Sequence, residues 1–398
     1  MPRFAERISR IQPSATVAIS GKARQLASEG KDIVSFSMGE PDFDTPEHIR
    51  AGGAAAIEAG HTRYTAATGT PELKKAVLAA SARRRGVEHQ LDEVAVSVGA
   101  KHALFNLALC LYDAGDEVII PAPHWVSYPA QVEFVGAVPV VIETTADEGF
   151  KVSPDALKGA LTPKTKAVVL CSPSNPTGSA YTEDELKALA EVLRGHECWI
   201  LVDEIYGELV YEGFDQKSLL TVAPDLKERL LIIDGVSKTY AMTGWRIGWT
   251  IGNADVIAAV NKLQGQSTTN PCAVAQAAAR VALESPQDAI DEMRTAFEKR
   301  RDRIVEGLNA IEGIECRKPE GAFYAFPSVE GLLGKSDGDR KVSTDLDFCD
   351  YLLDSVGMAV VPGTAFGAPG HVRISYAASM EQIEEGLKRL ADAAGRLS

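Results

Sequence analysis

The stretch GVSKTYAMTGWRIGW, residues 235–249, holds two cations, Lys238 and Arg246, and no acid to balance either. Tyr240, Met242, Trp245, Ile247 and Trp249 surround the pair with apolar bulk. An ammonium without a partner is costly in such surroundings, so a lysine there is driven toward its neutral form or toward a ligand. Burial and a second cation both lower an amine's pKa, and the neutral amine is the nucleophile that forms a Schiff base with an aldehyde. A plain loop lysine followed by a strand-opening arginine would show the same two letters, but it does not account for the apolar setting.

Other residues with chemistry to offer sit where apolar runs end. VAVSV (94–98) runs into Gly99-Ala100-Lys101 and then a helical pattern. The free N–H groups and positive dipole end of a helix suit a phosphate, although an ordinary strand-to-helix turn uses the same residues. SPSNPTG (172–178) is a turn by its composition, which leaves a further role for Asn175 open. CWILV (198–202) delivers Asp203, Glu204 and Tyr206, and LLIID (230–234) leads to Ser237 and Lys238. Asp203 and Tyr206 face the same way if the turn between them is helical. Together these residues ask for a phosphate, an aldehyde for the lysine, and an aromatic ring whose nitrogen needs an acid. Pyridoxal 5′-phosphate has all three, and its enzymes supply a Schiff-base lysine and an acid that keeps the pyridine nitrogen protonated. Asp203 is the candidate for that acid.

The elements that must position these residues are short apolar runs alternating with helix-length segments. EVII (117–120), VPVVI (138–142), KAVVL (166–170) and RIGWTIG (246–252) complete a set of seven expected strands, with helical segments such as KHALFNLALCLYD (101–113) and TEDELKALAEVLR (182–194) between them. Near-continuous apolar strands separated by helices predict an α/β fold with a buried, mostly parallel sheet between helices. In such a sheet ligands sit beyond the carboxyl ends of the strands, where the residues above cluster. The pattern changes after about residue 280, where Ile290, Met293, Phe297, Ile304, Leu308 and Ile311 fall at helical spacing, followed by weaker strand signals at AFYAFP (322–327), MAVVPG (358–363) and HVRISYA (371–377). Thr45 and Pro46 are placed to open a helix as N-cap and first residue. The expected division is an N-terminal segment, 1–45, belonging with a smaller α+β domain at 281–398, around a large domain at 46–280.

The chain has 398 residues, 45% apolar and 24% charged, as expected of a globular protein large enough for two cores. Lys and Arg number 41 against 55 Asp and Glu, a net charge of −14 with no basic run, which argues against nucleic acid as a partner. Six scattered cysteines without a C-x-x-C pair indicate neither a disulfide framework nor a metal site. The start lacks the apolar core of a signal peptide and no window resembles a membrane span, so a cytoplasmic location without membrane partners is expected.

SNPTG, DEIY and SK-x6-GWRIG, with GEPDFDTP, YTAATGTPEL, WVSYP and VPGTAFG, resemble the class I aminotransferases of pyridoxal-phosphate fold type I, most closely the subgroup Ib aspartate aminotransferases. The similarity spans nearly the whole chain. It implies that Lys238 is the Schiff-base lysine and proton carrier, and that Arg246 binds the cofactor phosphate with Ser237 and the backbone of Gly99 and Ala100. Asn175 and Tyr206 are similar to the residues that hydrogen-bond the cofactor's phenolic oxygen, and Trp125 to the aromatic that stacks on its ring. Tyr64 resembles a tyrosine that reaches the phosphate from a neighbouring subunit, which implies a homodimer with shared active sites. Arg373 resembles the arginine that grips the substrate α-carboxylate through its planar fork. Gly39 resembles the glycine whose backbone lies against the substrate, so that the N-terminal segment becomes a lid.

The resemblance also implies that Lys101, with Thr16 nearby, meets the distal carboxylate of aspartate or glutamate. The expected reaction is transfer of that amino group to a 2-oxo acid such as 2-oxoglutarate. Relatives that accept prephenate carry a basic residue where this chain has Gln12, and a neutral amide supplies no charge for a second carboxylate. Aminotransfer with prephenate, aromatic or alanine specificity, and a lyase on the same fold, remain the alternatives, because Lys238, Asp203 and Arg246 hold the cofactor in all of them.

Overall fold

The computed structural model describes residues 3–398; Met1 and Pro2, the first two residues of the expected N-terminal segment, lie outside the described residues. All seven apolar runs form strands of one sheet: β1 (Val94–Ser97), β2 (Glu117–Pro121), β3 (Val138–Ile142), β4 (Thr165–Cys171), β5 (Trp199–Asp203), β6 (Leu230–Gly235) and β7 (Gly248–Ile251). Their order is β1-β7-β6-β5-β4-β2-β3. Every pairing is parallel except the two made by β7, which runs against both β1 and β6.

That single reversal has a geometric result. β1, β2, β4, β5 and β6 all end at one edge of the sheet, whereas β7 begins there. The residues that follow β1, β4, β5 and β6 therefore meet the residues that precede β7, and Arg246 is among these. β7 begins two residues later than the apolar run 246–252 suggests. Arg246 has a φ of 58° in the left-handed region, closing the short turn Thr243–Trp245, and a residue held there cannot continue a β-ladder.

Val, Ile and Leu on β1, β2, β4, β5 and β6 are covered on both faces by helices, as near-continuous apolar strands require. Helix Glu183–Arg194 shows how the sequence sets its own boundaries. Thr182 Oγ1 accepts from Glu185 N, the Glu185 carboxylate accepts from Thr182 N at 2.7 Å, and Leu186, Leu189, Ala190 and Leu193 turn inward.

Helix Asp288–Asn309 buries Ile290, Met293, Phe297, Ile304 and Leu308, as their spacing predicts, while Ile311 falls just beyond its end. Tyr324–Ala325, Val361–Pro362 and Val372–Ser375 form a small antiparallel sheet, and Val34–Ser35 pairs in parallel with Met358–Ala359. Val34 and Phe36 thereby share an apolar core with Phe297, Phe323, Phe348 and Ile383.

Thr45 is not a helix cap. The helix runs Glu47–Glu58 with Pro46 at its N-cap and no side-chain cap bond. The Thr45 hydroxyl instead donates to the Ala241 carbonyl at 2.7 Å and accepts from Trp245 Nε1 at 3.0 Å. A tertiary partner outcompetes the local one, and the segment leading to Gly39 is pinned beside Lys238 as a result.

Candidate active site

At the carboxyl edge of the sheet lies a cleft of about 340 Å³, within the roughly 300–1,000 Å³ usual for small-molecule sites. Its walls include Thr16, Gly39, Ala100, Lys101, Trp125, Asn175, Asp203, Tyr206, Ser237, Lys238, Arg246 and Arg373, so twelve of the fourteen sequence-derived site residues meet there. Gly99 stands directly behind Arg246. Its φ is 85°, and a Cβ at this position would collide with the Arg246 guanidinium, so the missing side chain makes room for the cation. Helix Ala100–Leu111 starts here and contributes Ala100 and Lys101 to the cleft wall, and the first N–H groups of a helix lack intrahelical partners. Tyr64 is the exception. It is 87% exposed and lies in a separate depression with His61, Arg63, Asn270 and Cys272.

Lys238 Nζ donates to the Gly39 carbonyl. Burial pushes its pKa down to about 8; Glu40 opposes the shift, and Arg246, Arg373 and Lys101 add to it. A substantial fraction of the amine is therefore neutral near pH 7.5, as a nucleophile requires. Arg246 donates to the Thr243 carbonyl at 2.7 Å. Lys101 Nζ lies 4.8 Å from the centre of the Trp125 ring, and its pKa is lowered by burial and by Arg246.

Asp203 ends β5. Its Oδ2 accepts from the Tyr128 hydroxyl at 2.8 Å and its Oδ1 from Ile205 N at 3.2 Å. Burial raises its pKa to about 6 against the pull of those two bonds, and the nearby Asp234 and Glu204 add to the rise. A cation brought opposite this carboxylate reverses the shift and fixes it ionised.

Arg373, on strand Val372–Ser375, is 2% exposed. It donates through Nη1 to Asn175 Oδ1 at 3.0 Å and through Nη2 to the Ser37 carbonyl at 2.6 Å. Its buried Nε has no partner among the described residues. A buried guanidinium on the wall of a cleft, bonded only to neutral acceptors, is suited to a carboxylate.

Sequence reading overlooked Tyr128, Tyr324 and Glu40. Tyr128 packs edge-on to Trp125 with ring centres 5.4 Å apart, and its position three residues on, at the start of helix Ser127–Val135, was a usable signal. Glu40 is the acid that 235–249 lacks: it accepts from Thr243 Oγ1 at 2.8 Å and lies 203 residues away from it in the chain. Tyr324 sits inside an apolar run whose pattern distinguishes it from nothing else.

The residues present fit pyridoxal 5′-phosphate: a half-buried amine of lowered pKa, a helix start and arginine cleared by Gly99 for a phosphate, an aromatic wall at Trp125 and a buried acid at a strand end. Fold and cleft together define a pyridoxal-phosphate-dependent enzyme. The family described as aminotransferase class I and II matches residues 31–390, and the chain belongs to it. It is 46% identical over 396 residues to an aspartate aminotransferase of Rhizobium meliloti, covering 99% of this chain and 97% of that one. It is 45% identical over 392 residues to an aspartate/prephenate aminotransferase of Cereibacter sphaeroides, covering 98% of each. Among solved structures, the aspartate aminotransferase of Rhizobium meliloti superposes with a TM-score of 0.97 at 46% identity, over the full length of both chains. That of Thermus thermophilus with maleate gives 0.93 at 41% identity, over 99% of this chain and 100% of that one.

Proposed function

We propose that the enzyme transfers the amino group of L-aspartate or L-glutamate to a 2-oxo acid such as 2-oxoglutarate, in two half-reactions that share one site. The observation that carries this reading is the cleft's charge: Lys101, Lys238, Arg246 and Arg373 converge on it, more cations than a phosphate alone requires. The cofactor, when bound, supplies an electron sink for the bond-breaking at the substrate Cα. The protein's own groups do the rest. Lys238, the half-buried amine of lowered pKa, would hold the cofactor through its aldehyde, and its Nζ would carry the proton that the substrate Cα gives up. Asp203, held by Tyr128, would meet the ring nitrogen and keep its proton in place. Asn175 and Tyr206 meet the phenolic oxygen, and Ser237, Arg246, Gly99 and Ala100 the phosphate. Trp125 covers one face of the ring. Arg373, whose guanidinium meets only neutral acceptors, would take the α-carboxylate, Gly39 would lie against the substrate, and Lys101 with Thr16 would take the distal carboxylate.

The same reading makes the molecule a homodimer, since Tyr64 is exposed and outside its own cleft, and would supply the partner's phosphate site. It also divides the chain into a cofactor-binding domain over 46–280 and a smaller domain built from 1–45 and 281–398, which the pairing of Val34–Ser35 with Met358–Ala359 supports. No helix among the described residues is long and apolar enough to cross a membrane, and a cytoplasmic location is part of the proposal.

Reduction of the cofactor-loaded protein with borohydride, followed by peptide mapping, is expected to fix the cofactor on Lys238. Label on Lys101 or Lys262 would refute the assignment. With aspartate and 2-oxoglutarate, oxaloacetate and glutamate are expected in equal amounts; one product without the other would favour a lyase. Prephenate belongs in the same screen because of the Cereibacter relative, and Gln12, which is exposed and outside the cleft wall, predicts that it is a poor acceptor.

A further inference from the structure

Tyr324, on the small antiparallel sheet, touches three parts of the cleft at once. Its hydroxyl is 2.7 Å from the Tyr206 hydroxyl. Its ring lies under the Arg373 guanidinium, 4.7 Å from centre to carbon. A Cβ on Gly39 would stand 2.5 Å from the Tyr324 oxygen, so the glycine at this point is what admits the hydroxyl. Both tyrosines are buried, with exposures of 0% for Tyr324 and 3% for Tyr206. Neither hydroxyl has another hydrogen-bond partner among the described residues.

A pair of phenols sharing one hydrogen bond has two arrangements, and they differ in which proton is left free. We propose that Tyr324 is a positioning residue: its hydroxyl donates to Tyr206, which turns the Tyr206 proton toward the cofactor's phenolic oxygen. The inference rests on the assignment of Tyr206 to that oxygen. An anionic oxygen in the cleft selects this arrangement, because each hydroxyl then donates toward the negative charge and accepts from behind. Arg373 on the Tyr324 ring ties the same pair to the α-carboxylate site.

The groups facing the pair are Arg373 from strand Val372–Ser375 and Cys171 from the end of β4. Those acting on Lys238 are Glu40, Arg246, Arg373 and Lys101. Tyr324→Phe leaves all of them in place and removes one hydroxyl. With Tyr206 held less firmly, the cofactor's phenolic oxygen is less well stabilised as an anion. The pH midpoint of the bound cofactor's visible absorption is expected to rise by about half a unit to one unit, the size of one net hydrogen bond.

The test is a spectroscopic titration of cofactor-loaded wild type, Tyr324→Phe, Tyr206→Phe and the double variant. Tyr324→Phe should raise the midpoint in the wild-type background and leave it unchanged in Tyr206→Phe, an outcome that looser packing alone does not produce. An unchanged midpoint in Tyr324→Phe, or an equal rise in both backgrounds, overturns the proposal. If Tyr324→Phe fails to fold, Gly39→Ala displaces the same hydroxyl and must show the same dependence on Tyr206. Borohydride mapping on each sample separates the two claims: loss of the Lys238 label in wild type removes the site assignment, whereas a labelled Lys238 with no midpoint change removes the role of Tyr324 alone.

Discussion

Holding Lys238 ready costs the empty protein stability, and the cost has a defined pH window. Its folded-state pKa is about 8, against the ordinary 10.5 of an unfolded chain. The folded state disfavours the ammonium, so the penalty is fully present below pH 8, fades as pH rises, and is gone above about 10.5. That interval corresponds to at most about 3 kcal/mol. Part of the side chain opens onto the cleft and is screened by solvent there, which brings the expected figure to about 2 kcal/mol. Lys238→Met removes the titrating group and keeps most of the volume. It also removes the bond to the Gly39 carbonyl, a loss of about 1 kcal/mol that is nearly the same at every pH. The test is the difference in unfolding free energy between the apo forms of variant and wild type, by urea denaturation at steps from pH 7 to 10.5. The variant should lose about 2 kcal/mol of relative stability across this range. Other lysines and tyrosines titrate in both proteins and cancel. A difference that stays flat, or that moves in favour of the variant as pH rises, would show that Lys238 is not held with a lowered pKa and would remove the argument for its readiness as a nucleophile.

Two further outcomes follow from the site. Lys101→Ala should lower kcat/KM for aspartate and glutamate by roughly tenfold to a hundredfold relative to alanine, the value of one charge-assisted bond of about 1.5 to 3 kcal/mol. Equal loss on all three donors, with weaker cofactor binding in a titration, would place Lys101 at the phosphate instead. Mixing Tyr64→Ala with Arg373→Ala subunits should restore activity above that of either parent, because a heterodimer segregates the two defects into different sites. Full activity of the wild-type enzyme at dilutions where it is monomeric would exclude the shared site.

The sheet and the residues at its carboxyl edge were legible because both depend on local pattern. A buried strand is a run of apolar letters; Asp203 and Gly99 stand directly after one, and Lys238 four residues past the end of LLIID (230–234). Features that depend on where distant segments land were not legible. Thr45 has the letters of a helix cap, yet Ala241 and Trp245 claim its hydroxyl. Arg246 falls at the head of an apolar run, yet its backbone turns left-handed two residues before the strand begins. Glu40 lies in GEPDFDTP, but its letters do not say that it will meet Thr243, and Tyr324 carries no mark in its apolar run, because what selects both is contact between distant segments. The role proposed for Tyr64 lies further still from local pattern, since it requires a second copy of the chain.

The charges around the cleft are distributed by a rule that the residue types alone do not show. Three carboxylates crowd the carboxyl edge at β5 and β6: Asp203, Glu204 and Asp234, all nearly inaccessible to solvent. Buried carboxylates need partners, and helix Pro71–Arg85 supplies two at its last turn. Arg85 donates to Glu204 and to Asp234, both at 2.8 Å, and Arg84 reaches Asp234 at 2.9 Å and Glu204 at 3.1 Å. Asp203 receives only the neutral donors Tyr128 and Ile205. Across the cleft, Lys238, Arg246 and Arg373 likewise donate to neutral acceptors, the carbonyls of Gly39, Thr243 and Ser37 and the Asn175 amide. Behind the site Glu204 and Asp234 are paired with Arg84 and Arg85; inside it, Asp203 and the cations Lys238, Arg246 and Arg373 meet only neutral partners. Arg84 and Arg85 thus leave Asp203 as the one carboxylate of the three free to face a cation. The unmatched set, one anion on the sheet edge opposed to the cations Lys101, Lys238, Arg246 and Arg373, is complementary to the ligands proposed above: a protonated ring nitrogen for the acid, and a phosphate and carboxylates for the cations.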